Sequence, residues 1–535
     1  MPNDPLYYPY PSRRTVMYAR NGMVATSQPL ASQAGLEMMK QGGNAIDAAI
    51  AAAAALTVVE PPSNGIGGDA FALVWTKGKL HGLNSSGPAP QNLSLDALNK
   101  MGVKQIDKHG FMPVTVPGAP AAWAELSARF GRLPLEKVLE PAIRYAEQGY
   151  PVSPVLGMNW AMEFRDNHEH LKGEEFKGWF DTFMPGGRAP EIGEIWRSPD
   201  HARTLQSIAE TKAESFYRGE LAEQIDRFSR KYGGYLTLGD LSAFRPEWVD
   251  PIHVNYRGYE VWEIPPNGHG LVALMALNIL KGFDFSARDS AETYHRQLEA
   301  MKLAFMDGKK YIADSSKMSV QVKDLLSDSY AEDRRRLIGN YALQPEPGKP
   351  PGGGTVYLST ADAEGNMVSY IQSNYMGFGS GLVVPGTGIA LHNRGYNFSL
   401  DPSHPNCLEP GKKPYHTIIP GFLTKNNEPV GPFGVMGAFM QPQGHVQVVM
   451  NTVDFHLNPQ AALDAPRWQW LQGKTVEVEQ AVPPHIVEAL ARMGHDIIYA
   501  ASSRTFGRGQ IIWRQENGVY TGGTEPRADG QVSIF

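Results

Sequence analysis

Residues 343–354, "LQPEPGKPPGGG", hold four prolines and four glycines in twelve positions. Proline fixes φ and donates no hydrogen bond, and glycine weakens any regular element, so neither a helix nor a central strand can run through this stretch. The chain therefore has a joint here, and the two sides read differently. From about residue 118 to 340 the pattern is mostly helical, with helices predicted at "PAAWAELSARF", "LEKVLEPAIRYAEQ", "SAETYHRQLEAMKLAFMDGKKYIAD" and "YAEDRRRLIG" around a strand-like "PIHVNYRGYEVWEIPP". After the joint come strand-like runs, "TVYLSTAD", "NMVSYIQS", "YHTIIPGFLT" and "PVGPFGVMG", then a helical "HIVEALARMG" and a last strand "RGQIIWRQ".

The 535 residues exceed what one simple hydrophobic core sustains, which predicts one large layered body with lobes or two domains. Near the N-terminus "AIDAAIAAAAALTVVE" is the most apolar run. Asp47 interrupts it and Pro61-Pro62 stop it short of a bilayer span, so it reads as a buried helix capped by Asn44, paired with "LASQAGLEMMKQ" across Gly42-Gly43. A glycine loop and two strands about a Lys-Gly turn follow. Lys plus Arg total 49 against 55 Asp plus Glu, a balance of -6 that offers no broad basic surface to nucleic acid. No secretory signal or membrane span is read, and the single Cys407 forms no intrachain disulfide, so the expected compartment is the cytoplasm.

Immediately after the glycines, Thr355 opens "TVYLSTAD-AEG-NMVSYIQSN". A three-residue hairpin loop closed by Asp362 and Asn366 conserves residue-number sums across the pair, so Thr355 faces Ser373, whereas a two-residue loop would put Asn374 opposite it. A threonine hydroxyl attacks only when a base takes its proton, and an N-terminal threonine carries that base as its own α-amine. Cleavage of the Gly354–Thr355 bond would create it, whereas the bland alternative makes "GGGT" a flexible lead into a strand.

Four segments in order, "GMVATSQPLASQAGLEMMKQGGNAIDAAIAAAAALTVVEPPSNGIGGDAF", "GGGTVYLSTADAEGNMVSYIQSNYMGFGSG", "VPGTGIALHNRGYNFSLDP" and "GVMGAFMQPQGHVQV", resemble the γ-glutamyltransferase family of N-terminal nucleophile hydrolases. The likeness is nearest to the branch of glutathione hydrolase-like proenzymes. It implies a four-layer αββα sandwich of the α+β class, made as one precursor that cuts itself before Thr355 into residues 1–354 and 355–535. It further implies Thr355 as nucleophile, Ser373 as its supporting hydroxyl and the backbone N–H groups of Gly437 and Ala438 as oxyanion donors. The implied substrate is a small γ-glutamyl amide such as glutathione, with hydrolysis or transfer to an amine, and no metal or organic cofactor.

The pattern also departs from the family. Ser86 stands where an arginine usually clamps the substrate α-carboxylate, Arg394 where glutamine is usual, and Asn397 where an aspartate grips the α-amine. His416 and Thr417 replace a serine pair, and Tyr375 an asparagine. Arg394, Asn397, Tyr375, His416 and Thr417 are the candidate substrate contacts, with Arg394 a replacement carboxylate clamp. Short oxo-acid amides or acylated β-lactam side chains are the second substrate class, and an unprocessed scaffold the alternative from outside enzymology. "DNHEH" (166–170) lacks metalloprotease spacing and reads as a solvated loop. "GIGGDA" follows a helix and precedes a strand, the reverse of a dinucleotide site. "GFGSG" lacks one glycine of the nucleophile elbow around Ser380.

Overall fold

The computed structural model describes residues 7–12, 14–345 and 354–535, so most of the Pro/Gly joint lies outside the described residues. Two seven-stranded antiparallel sheets face each other. The first runs Gln531–Ile534, Gly22–Thr26, Gly354–Asp362, Met367–Tyr375, Asp69–Thr76, Lys79–Ser85 and Glu247–Val249. The second runs Met17–Ala19, Tyr520–Thr524, Arg508–Arg514, Glu428–Met436, Gly421–Lys425, Tyr259–Glu263 and Ile252–Tyr256. Phe71, Leu73, Tyr357, Ile371, Phe422 and Ile512 fill the space between them. Helices cover both outer faces, among them Ala45–Val59 on the first sheet and Gly270–Leu280, Ala291–Tyr311 and Met440–Val453 on the second. This is the expected αββα sandwich.

The joint does not separate two bodies. Strands from before it, Gly22–Thr26 and Asp69–Thr76, flank the hairpin that follows it, so each sheet is woven from both sides of the joint. A chain cut there would remain together through complete hydrogen-bond ladders.

The helix Ala45–Val59 is buried at every position. Its small side chains let it lie close on the sheet, and its start is fixed twice over. Asn44 Oδ1 accepts from Ile46 and Asp47 N–H at 3.0 Å each, while the Asp47 carboxylate accepts from Asn44 N–H at 2.9 Å, a reciprocal cap. Asp362 then accepts from Ala45 N–H at 2.8 Å and the Thr360 hydroxyl donates to Ala45 O at 2.7 Å, tying the helix start to the hairpin.

Three local readings change. The strand-rich half also contains the helix Met440–Val453, whose "HVQVVMNTV" has the β-branched look of a strand but is wholly buried against the second sheet. Two further strands, Tyr520–Thr524 and Gln531–Ile534, follow "RGQIIWRQ". In "DNHEH", Asp166 and Asn167 close the helix Pro154–Asn167 instead of lying in a loop.

On the helix Ala291–Tyr311, His295 and Glu299 share one face and meet His495. His295 Nδ1 and His495 Nε2 are 2.8 Å apart, and His295 Nε2 bonds Gly339 O at 2.8 Å. Lys302, wholly buried, donates to Glu299 at 2.7 Å and to Leu343 O at 3.3 Å, while Glu299 accepts from Leu343 N–H at 2.8 Å. The ammonium supplies the cation of this cluster, and the network clamps residues 339–343 just ahead of the joint. Glu299→Ala leaves that ammonium buried without its counter-charge and should cost about 3–5 kcal/mol. Urea unfolding of an uncleaved Thr355→Ala background measures this; a loss under about 1 kcal/mol contradicts it.

Candidate active site

The hairpin register follows the predicted arithmetic from Val356↔Gln372 to Ala361↔Met367, then slips at Gly354, which pairs with Tyr375. At the slip Thr355 Oγ1 lies 3.0 Å from Ser373 Oγ. Both residues are fully buried in the uncut chain. Ser373 Oγ also lies 2.8 Å from Gly354 O, to which it donates, and it accepts from Tyr375 N–H at 2.7 Å. Tyr375 reaches this position with φ +75°, a left-handed value uncommon for a tyrosine.

Arg394 closes the other side of Ser373. Its Nη2 donates to Ser373 Oγ at 3.2 Å, its Nη1 to Thr417 Oγ1 at 2.7 Å, and its guanidinium stacks 4.4 Å from the Tyr375 ring centroid. Its Nε has no hydrogen-bond partner, and the side chain makes no ion pair among the described residues. Burial lowers its pKa to about 10, against the opposing pull of Asp69. The Tyr375 hydroxyl in turn donates to Asn397 Oδ1 at 2.7 Å, and Asn397 Nδ2 to Tyr415 O at 3.0 Å. Four of the five candidate substrate residues, Tyr375, Arg394, Asn397 and Thr417, are thus linked directly around Ser373.

His416 turns to Asp69, its Nε2 2.9 Å from Oδ2, and His392 Nδ1 lies 3.3 Å from the same oxygen. Burial pushes His416 down to about 3. Burial alone would raise the Asp69 carboxyl, but His392 and His416 outweigh it and hold Asp69 below the usual carboxylate range. Asp69 is the strand partner of Ser373, so this buried carboxylate stands on the strand beside the Thr355–Ser373 hairpin. Asp69 and His392 were missed from the sequence, although a carboxylate at the head of "DAFALVW" was a visible signal. Ser86, at the family's arginine position, is bonded to Asn84 Oδ1 at 2.8 Å and Asn267 Nδ2 at 3.2 Å, and presents no cation. Ser380 donates its hydroxyl to Leu391 O at 2.7 Å and stands in no triad.

Gly437 and Ala438 link the strand Glu428–Met436 to the helix Met440–Val453. Their φ values are +137° and +49°. Their carbonyls accept from Met440 and Gln441 N–H at 2.9 and 3.1 Å. The positive end of the helix dipole lies at this turn, which suits a developing anion. Gly437 and Gly354 line one cleft of about 520 Å³, together with Ser63, Phe439, Met440 and Arg508. A second recess of about 610 Å³, containing Asn397, adjoins it at Phe439 and Leu471.

The gamma-glutamyltranspeptidase family model matches residues 31–535 of this chain. The chain belongs to the gamma-glutamyltranspeptidase family. It is an enzyme of the N-terminal nucleophile hydrolase type. The crystal structure of cephalosporin acylase from Bacillus halodurans superposes with a TM-score of 0.96 at 65% identity, covering 99% of each chain. Glutathione hydrolase-like YwrD proenzyme of Bacillus subtilis (strain 168) is 36% identical, over 95% of this chain and 97% of its own. Oxamate amidohydrolase proenzyme of Klebsiella pneumoniae is 35% identical, over 96% and 98%. Gamma-glutamyltranspeptidase relatives thus include glutathione hydrolases and acylases alike.

At Ala438 a side chain sits in a conformation that glycine adopts freely. Ala438→Gly should stabilise by about 1 kcal/mol or less and keep turnover within a few-fold. Ala438→Pro removes the N–H and, because proline cannot hold φ +49°, also displaces the turn, so kcat should fall by at least ~10²–10³. Melting curves and steady-state rates check the pair, and an active proline variant would remove this N–H from the oxyanion site.

Proposed function

We propose that the chain is a self-processing amidohydrolase that cuts itself between Gly354 and Thr355 into products of residues 1–354 and 355–535. The freed Thr355 amine takes the proton of its own hydroxyl, Oγ1 attacks a substrate amide, and the Gly437 and Ala438 N–H groups receive the oxyanion. The amine product leaves, and water, or an acceptor amine, releases the acyl group from Thr355.

The acyl group is proposed to carry a carboxylate held by Arg394. One observation supports this most strongly: a guanidinium that is fully buried, in no direct ion pair among the described residues and with only the more distant Asp69 pulling on it, two hydrogen bonds from the nucleophile. A buried cation of this kind is costly unless something pairs it, and substrate is the available anion. The contacts of 3.2 and 3.0 Å in series limit Nη2 to about 6.2 Å from Thr355 Oγ1, which favours a carboxylate close to the reacting carbonyl. Short oxo-acid amides such as oxamate fit this better than a γ-glutamyl or a glutaryl group, in each of which three carbons separate the reacting carbonyl from the carboxylate. Hydrolysis of glutathione or another γ-glutamyl amide is the second reading, supported by the proteins so named among the relatives.

Thr355→Ala should stay as one full-length band and be inactive, while Thr355→Ser should retain some cleavage and turnover. Parallel assays on oxamate, a glutaryl amide and a γ-glutamyl anilide rank the substrates, and preference for the γ-glutamyl anilide would put the second reading ahead of the first. For mature enzyme kcat/KM should rise with pH through one titration near ~7.7–8.0, because only the neutral amine accepts the proton. A flat profile from pH 6 to 9 would exclude the amine as base.

A further inference from the structure

Before cleavage the Thr355 nitrogen belongs to an amide and cannot serve as base, so the precursor meets its first reaction with a different set of groups. The Ser373 hydroxyl has one proton and two lone pairs. Tyr375 N–H and Arg394 Nη2 can only donate, and at 2.7 and 3.2 Å they occupy both lone pairs. The hydroxyl proton is then left for Gly354 O at 2.8 Å or Thr355 Oγ1 at 3.0 Å, and Ser373 has no lone pair with which to take the proton of Thr355.

We propose that Arg394 is a positioning residue for self-cleavage: through Ser373 it commits a hydroxyl proton to the Gly354 carbonyl, so that a side chain holds the precursor's oxyanion. In the step itself Thr355 Oγ1 bonds to the Gly354 carbonyl carbon, and charge grows on the carbonyl oxygen against the Ser373 O–H. The C–N bond then breaks, and the nitrogen gains the proton that the Thr355 hydroxyl has lost. The resulting ester takes up one water, giving a Gly354 carboxylate and a free Thr355 with amine and hydroxyl. Arg394 strengthens the donor because a cation bonded to a hydroxyl oxygen polarises its O–H, most of all where no water screens it. Once Gly354 has left, the same proton is free to turn to Thr355 Oγ1, and the Gly437–Ala438 turn receives substrate oxyanions. Two reactions at one threonine thus use two different oxyanion donors.

This rests on Thr355 as the nucleophile, and the experiment separates the two ideas. Full-length chains are made in a short cell-free synthesis pulse, and the decay of the full-length band is followed on denaturing gels from pH 6 to 9. Ser373→Ala should slow the decay by ~10²–10³, and Arg394→Met by about tenfold or more. Arg394→Lys should recover much of the rate at pH 6 and lose it as pH rises, because a buried ammonium has a depressed pKa and its donor strength vanishes on deprotonation. Wild type should show no such alkaline loss between pH 6 and 9, since a guanidinium holds its charge where a buried ammonium does not. Equal rates for Arg394→Met and wild type would overturn the proposal. So would a slow Arg394→Lys with no pH dependence, which would mark a merely structural role. Cleavage by Thr355→Ala would instead remove the nucleophile reading itself.

Discussion

The hydrogen bonds converging on Ser373 Oγ are what the rest of the molecule is arranged to hold. Four groups from three separate stretches, Gly354–Thr355, Tyr375 and Arg394, lie within 3.2 Å of one hydroxyl oxygen. Such a cluster keeps its geometry only if every contributor is fixed by something stiffer than itself. The hairpin supplies the first two through its ladder and the slip at Gly354, and Tyr375 stays in its left-handed conformation because its hydroxyl is anchored on Asn397. Arg394 is fixed by Thr417 on one side and the Tyr375 ring on the other.

The αββα arrangement gives that cluster what a surface loop could not. Ser373 and Arg394 are both fully buried, and the low dielectric of such a setting strengthens each bond while penalising any that is lost. The interleaving of strands from both sides of the joint matters equally. A chain cut before Thr355, as proposed, would survive because Gly22–Thr26 and Asp69–Thr76 remain paired to the two strands of the hairpin. Further off, Lys302 and Glu299 hold the chain at Leu343, where the joint begins.

What could be read from the sequence divides along contact range. The facing of Thr355 and Ser373 was legible because a tight turn at Asp362–Asn366 sets the register over only 18 positions. The capped apolar helix was legible for the same reason, since Asn44 and Asp47 are three residues apart. His416 meeting Asp69 was not, with 347 residues between them and no local signal tying one to the other. The helix Met440–Val453 was missed because its β-branched residues favour strand locally, and only burial on the second sheet overrides that preference. Asn397 and Tyr375 read as two separate substrate contacts in the sequence, but they form a bonded pair.

The exchange of cations between Ser86 and Arg394 joins specificity to processing. Ser86 is held by Asn84 and Asn267 and carries no charge, so the cation near the hairpin is Arg394. Arg394 touches the hydroxyl beside the nucleophile, so whatever pairs with it also alters the donor that faces Gly354. A carboxylate drawn to Arg394 withdraws part of its polarising effect from Ser373, which is tolerable only after cleavage, when the Gly437–Ala438 turn carries the oxyanion. The order of events then follows from electrostatics. On the proposed scheme the cation would serve the chain first, while no substrate carboxylate is present, and the substrate afterwards, when Ser373 no longer has a carbonyl to hold.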